Sequence, residues 1–132
     1  MGFFGYADAK LDDKSRVAIP AKFRHDMGEG PVYLMASEDG CLSIFSEETF
    51  EAIREEVKAQ NPRTSREGRE NWRSYWEFTE KVNTDSQGRA TIPGRLLDKL
   101  KIKQPCDLVV IGMDEWVEAW EAGAYRNRQE GA

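Results

Sequence analysis

Histidine occurs once in this chain and cysteine twice. A metal centre would need a cluster of roughly four ligands, and the spacing of His25, Cys41 and Cys106 offers none. The two cysteines are isolated and far apart, which reads as reduced core residues rather than a disulfide. His25 reads as a surface or helix-end residue. A Gly-x-x-x-x-Gly-Lys loop and a nucleophile elbow are both missing, so no phosphate cradle or activated serine is encoded. Glu48, Glu51 and Glu55 have the spacing of a solvated helix face, not of an acid–base pair. No run approaches the roughly 18 apolar residues that span a bilayer. Met1-Gly2-Phe3-Phe4-Gly5 lacks the basic start and apolar stretch of a signal peptide. Tyr6 stands where a myristoylation pattern needs Ser or Thr. These absences point away from enzymes, cofactors, small-molecule substrates and membranes, and toward a cytoplasmic location.

Positive charge is short as well. The net charge is −5 and the sequence pI about 5.0, against the basic footprint of a generic nucleic-acid binder. The charges are segregated, however. Lys10, Lys14, Arg16, Lys22 and Arg24 gather near one stretch, while Glu47, Glu48, Glu51, Glu55 and Glu56 gather in another. Such segregation can focus a positive potential on one face of an acidic protein. Hydrophobic residues make up 39% of the chain, a thin core that fits a protein completing its burial by assembly.

What the chain does contain is a repeat. Asp12-Asp13-Lys14-Ser15-Arg16-Val17-Ala18-Ile19-Pro20 returns as Asp85-Ser86-Gln87-Gly88-Arg89-Ala90-Thr91-Ile92-Pro93. Both copies read Asp-x-x-x-Arg-x-x-Ile-Pro, each residue 73 positions after its counterpart. Pro31 to Met35 resembles Pro105 to Val109 at 74, and Phe45 and Phe50 match Trp120 and Tyr125 at 75. Two copies are too few for a solenoid, so the repeat predicts a pseudo-twofold domain whose halves bury their apolar faces against each other.

Each box has a local reading. Its first residues have turn composition, because Asp can bond its own backbone two residues on and Gly tolerates positive φ. The Arg-x-x-Ile segment reads as a short strand. Pro20 and Pro93 stop it and suit the first turn of a helix. Residues 3–11 read as a strand, 20–27 as a helix, and 31–36 with 41–45 as a hairpin. Ser46 caps a helix whose apolar face is Phe50, Ile53 and Val57. A polar connection follows over 58–64. Thr64 with Glu67 forms a capping box, and the next helix carries Trp72, Tyr75 and Trp76 as a core stripe that packs on the sheet or on a neighbouring subunit. The second half repeats the first: a strand over 78–83, a helix over 94–101, a hairpin from 108–111 and 117–120, and a fraying helical tail.

These paired boxes, with Pro20-Ala21-Lys22-Phe23-Arg24 and Gly40-Cys41-Leu42, resemble the MraZ family of the AbrB-like swapped-hairpin superfamily over nearly the whole chain. Ser15 departs from the Gly usual there. The resemblance implies a β-rich α+β fold. Two AbrB-like halves, 1–60 and 61–132 with its linking helix, would form one pseudo-twofold, barrel-like domain with flanking helices. It also implies a sequence-specific DNA-binding transcriptional regulator. Such a protein assembles as a homo-oligomeric ring on short direct repeats in a promoter of the division and cell-wall gene cluster. It would be nucleoid-associated and need no cofactor.

From the residues alone, Asp12–Arg16 and Asp85–Arg89 are structural pairs; the resemblance makes Arg16 and Arg89 DNA contacts, and both roles can hold together. Arg suits phosphate or a guanine edge with two hydrogen bonds. Lys14 favours phosphate, and Gln87 can also read adenine. Lys22 and Arg95, just after each Pro, are weaker DNA-binding candidates whose plainer reading is a solvated helix face. By sequence the first box has the larger positive charge. A ring-forming scaffold without DNA binding is the alternative, and the basic residues in both boxes count against it.

Overall fold

A computed structural model describes residues 2–130. The elements in chain order are β1 (Tyr6–Leu11), β2 (Arg16–Ala18), α1 (Ala21–Met27), β3 (Val32–Ala36), β4 (Leu42–Ser46), α2 (Glu47–Gln60), α3 (Arg66–Trp76), β5 (Thr79–Val82), β6 (Arg89–Thr91), α4 (Gly94–Leu100), β7 (Cys106–Gly112), β8 (Val117–Glu121) and α5 (Ala122–Glu130). All eight strands join one antiparallel sheet in the order β5-β3-β4-β8-β7-β1-β2-β6, curled into a nearly closed barrel. The α+β, pseudo-twofold expectation holds.

The halves are exchanged rather than set side by side. β1 pairs with β7 of the second half, and β5 pairs with β3 of the first. The halves also meet strand to strand at two places. β2 and β6 pair with Val17 opposite Ala90, so Arg16 faces Thr91 and Ala18 faces Arg89. β4 and β8 pair with Ser43 opposite Glu118. Each ladder is its own mirror under the repeat, which is what a pseudo-twofold axis through both centres requires.

Period-2 burial explains the inward face. Leu11, Val17, Val32, Leu34, Ala90, Leu108, Val110 and Val117 alternate into one core. Ile19 and Ile92 end the box strands inside it, and Phe23 and Leu96 seal it from α1 and α4. Pro20 and Pro93 sit one residue before their helices, and their carbonyls accept the first helical bonds, from Phe23 and Arg24 and from Leu96 and Leu97. Cys41 is fully buried against the Ser37 hydroxyl at 3.2 Å, and burial pushes its thiol up to about 12. Burial also raises the Cys106 thiol, and both cysteines are free.

Three details differ from the sequence reading. The first hairpin strands, β3 and β7, correspond at 76 positions, not 74: Val32 takes the place of Leu108 and Leu34 that of Val110, in matching registers with their partners. The connector from α4 to β7, with Lys101 left-handed and Ile102 buried, is longer than its counterpart after α1 and displaces Pro105 from the place of Pro31. The hydroxyl that caps α3 belongs to Ser65, which accepts from the Gly68 N–H at 2.9 Å, and not to Thr64. The aromatic stripe divides. Trp76 packs edge-on against Phe50 at 5.7 Å, whereas Tyr75 is 41% exposed. The matched aromatics do pair alike in both halves, Phe45 with Phe50 at 6.2 Å and Trp120 with Tyr125 at 5.5 Å.

The α2–α3 corner yields a test whose sign opposes helix propensity. Asn61 donates to the Val57 carbonyl and accepts from Asn71, tying the two helices together. Gly68 packs so closely there that an added Cβ would lie 2.0 Å from the Pro62 carbonyl oxygen. In an open helix, Gly→Ala stabilises by about 1 kcal/mol. Here Gly68→Ala should destabilise, by about 1–3 kcal/mol as an overpacked site, in chemical denaturation. A stabilised variant would refute the close packing.

Candidate nucleic-acid interface

Each box is organised by its aspartate. Asp12 Oδ1 accepts the Lys14 and Arg16 backbone N–H groups at 2.9 and 2.8 Å, and Oδ2 accepts Arg16 Nε at 2.8 Å. Asp85 repeats the pattern, with Gln87 and Arg89 backbone N–H groups at 2.9 Å each and Arg89 Nε at 2.8 Å. One backbone bond closes each turn, from Ser15 to the Asp12 carbonyl and from Gly88 to the Asp85 carbonyl. Asp satisfies turn backbone in this way because its short carboxylate reaches two residues on. The N–H bonds from Arg16, joined by its guanidinium and by Lys14, hold the Asp12 carboxyl below the ordinary carboxylate value; the same groups of Arg89 and Gln87 do so for Asp85.

The turns leave a residue in the left-handed region, Ser15 at φ 64° and Gly88 at φ 75°. Glycine is the expected choice there. The Ser15 hydroxyl bonds to the Gln104 side chain, whose amide also donates to the Asp13 carbonyl at 3.3 Å. A second-half side chain thus compensates the departure at Ser15. At Gly88 a Cβ would fall 2.7 Å from Arg24 Nε, so a side chain there would displace the guanidinium.

The two turns then dock onto each other. Ile19 N–H donates to the Gly88 carbonyl at 3.1 Å, and Ile92 N–H to the Ser15 carbonyl at 2.7 Å, extending the β2–β6 ladder at both ends. Val17 and Ala90 point inward, so Arg16, Ala18, Arg89 and Thr91 occupy the outer face. Arg16 and Arg89 are diagonal neighbours on it, roughly 7–8 Å apart along the ribbon. Each arginine spends Nε on its aspartate, and among the described residues its terminal amino groups have no partner. Lys14 and Gln87 stand at the two tips.

Lys22 and Arg95 lie elsewhere. Lys22 Nζ reaches the Tyr6 carbonyl at 3.4 Å, at the far end of β1 from Asp12. Arg95 bonds the Glu77 carbonyl at 2.6 Å and Glu80 at 3.2 Å, and stacks over Phe78. Both tie a helix to the start of a box strand, outside the ribbon face. Arg24, by contrast, belongs beside the second box, not the first, although it follows the first in sequence. Of the cations that gather around the first box in sequence, Arg24 is thus one that the fold also brings to the second. The symmetry of the repeat could have revealed this, since strands that pair across the axis carry each helix to the opposite box.

Fold and site together define a swapped-hairpin barrel that displays two aspartate-braced arginines on a two-stranded ribbon. The sequence matches the family described as "MraZ protein, putative antitoxin-like" over residues 3–73 and 78–131. It is 36% identical to a transcriptional regulator MraZ of Salinispora arenicola, over 95% of this chain and 85% of that protein. A protein of the same name from Kocuria rhizophila is 35% identical, over 94% and 84%. One from Mycoplasmopsis pulmonis is 32% identical, over 98% and 86%. The chain belongs to the MraZ family.

The aspartates make a titration prediction. A carboxyl held below its ordinary value adds stability above that value, and the contribution is lost only as pH falls through the lowered one. Both boxes are therefore fully braced at neutral pH. The largest contribution at Asp12 is the Arg16 backbone N–H, which alanine retains. Arg16→Ala should thus leave the Asp12 midpoint still below the ordinary value in a carboxyl NMR titration, only partly raised. Complete return would mean that the side-chain pair, not the turn, holds the carboxylate.

Proposed function

We propose that the β2–β6 ribbon is the DNA-contacting surface of a transcriptional regulator. The observation that carries the reading is the pair of matched turns that aim Arg16 and Arg89 outward with their terminal donors unspent. A two-stranded ribbon is narrow enough to enter the major groove, where an arginine fork can take guanine or flanking phosphate. Lys14 and Gln87 at the tips add a phosphate contact and an amide that can read adenine. The acidic residues of α2 sit on a helix packed on β3 and β4, not on the ribbon strands β2 and β6. The name of the relatives supports a role in transcription. Lys22 and Arg95, bonded to the Tyr6 and Glu77 carbonyls, remain weaker candidates beside the ribbon.

The finer reading is a ring of copies bound to short direct repeats in a promoter of the division and cell-wall genes, at the nucleoid in the cytoplasm. No helix among the described residues is long and apolar enough to cross a membrane, which agrees with that location. The halves 1–60 and 61–132 act as one unit in it. One ribbon offers few cations on a chain of net charge −5. Several ribbons at fixed spacing raise avidity by about 10²–10⁴ when the geometry lets them engage together.

The test is a mobility-shift titration on the duplex from the gene's own upstream region. Arg16→Ala and Arg89→Ala should each weaken binding by about 1–3 kcal/mol if they contact bases. Folded double mutants that bind normally would replace this reading with the scaffold. In the same assay a three-repeat probe should bind far more tightly than a one-repeat probe or one with half a turn inserted, about 5 base pairs, which moves the next repeat to the other side of the duplex. Equal binding to all three would remove the ring as the source of affinity.

A further inference from the structure

We infer that Arg24, carried by the first half, completes the second box as a contact to the phosphodiester backbone of DNA, so that each box presents two cations. The inference rests on the ribbon being the DNA surface. Three observations place Arg24 there. Its Nη2 donates to the Ile19 carbonyl at 3.0 Å. The same residue, Ile19, donates its N–H to the Gly88 carbonyl, so the anchor of Arg24 is fastened to the second box's turn. Its Nε, Cζ and Cδ lie 2.7, 2.9 and 3.2 Å from where a Gly88 Cβ would be, so the guanidinium covers that glycine.

The repeat shows that this is a one-sided addition. The counterpart of Arg24 on α4 is Leu97, buried in the core at 4% exposure. At the first box the corresponding space near Ser15 is taken by neutral Gln104. The first box therefore carries Lys14 and Arg16, and the second carries Arg89 and Arg24, with Gln87 where Lys14 would be. Arg24 supplies in trans the second cation that Gln87 omits. Arg24 lies beside the turn and is not one of the ribbon's outward strand residues Arg16, Ala18, Arg89 and Thr91, and a cation beside a turn tip meets the sugar-phosphate strand flanking the groove, not base edges. With Nη2 held on a carbonyl, the rest of the planar fork stays oriented, which suits a fixed phosphate.

The experiment measures binding of intact Arg24→Gln, Arg24→Met and Arg24→Lys proteins by fluorescence anisotropy, across salt, on the upstream duplex and on a scrambled duplex. Arg24 is exposed, and Met keeps the length of its apolar stem, so the fold is expected to survive; circular dichroism checks it. A lost phosphate contact lowers the slope of log K against log salt by about 0.9 per engaged protomer. Between about 50 and 200 mM salt the advantage of the wild type over Gln or Met should then shrink about 3.5-fold per engaged protomer. The loss should be the same on both duplexes, and Arg24→Lys should keep the wild-type slope. A role confined to supporting the turn would change affinity or melting temperature and leave the slope intact, which overturns the inference. So would a loss on the upstream duplex alone, which marks a base contact. Arg16→Ala and Arg89→Ala run alongside. If they weaken binding while Arg24 variants keep the wild-type slope, only the Arg24 assignment fails; if none has an effect, the ribbon itself is not the DNA surface.

Discussion

A carboxylate holding the backbone of its own turn is the constraint on which the barrel depends. Asp12 and Asp85 each gather two backbone N–H groups on one oxygen and an arginine Nε on the other. That fixes a left-handed residue at Ser15 or Gly88, and the left-handed residue fixes where its carbonyl points. Those two carbonyls receive Ile92 and Ile19 of the opposite box. Register in a ribbon with one buried face tolerates no single-residue slip, because a slip would turn Val17 and Ala90 outward and the arginines inward. The turn therefore sets the register, the register sets the exchange of strands, and the exchange closes the barrel.

The same geometry reconciles the two readings of the box arginines. A guanidinium has donors on two edges. The aspartate uses Nε, which stiffens the side chain, and leaves the terminal amino groups facing out. An exposed ion pair adds little stability by itself. Its value here is orientation: a long side chain loses its rotamer freedom during folding, so less is lost on meeting a partner. Structural pairing is thus the means by which a contact residue is prepared.

Much of this was legible in the chain because the boxes repeat at one spacing and their chemistry is local. Turn, strand, proline and helix follow from residues that interact within a few positions, and they appear where Asp12 to Met27 and Asp85 to Leu100 predict them. The errors fall where two local signals compete or where distance matters. Pro31 and Pro105 look equivalent, but the longer connector through Ile102 moves the second hairpin by two residues. Even spacing kept the side-chain faces right while the pairing was misassigned. Thr64 and Ser65 both carry hydroxyls, and Glu67 favoured the wrong one. Arg24 and Gln104 were beyond reach of any local rule, since each acts on the turn of the opposite half.

Those two residues also show why the boxes drifted apart without losing their shared geometry. In a symmetric pair of turns, any change in one must be absorbed by whatever packs over it, and here that neighbour comes from the other half. Ser15 stands in the place of glycine with its hydroxyl met by Gln104. The reverse exchange at Gly88 would push Arg24 out of the space of the new Cβ. Substitutions at a turn and at its cover are therefore coupled across the axis, although Gln104 lies 89 residues from Ser15 in sequence, and each box is legible only together with the opposite half.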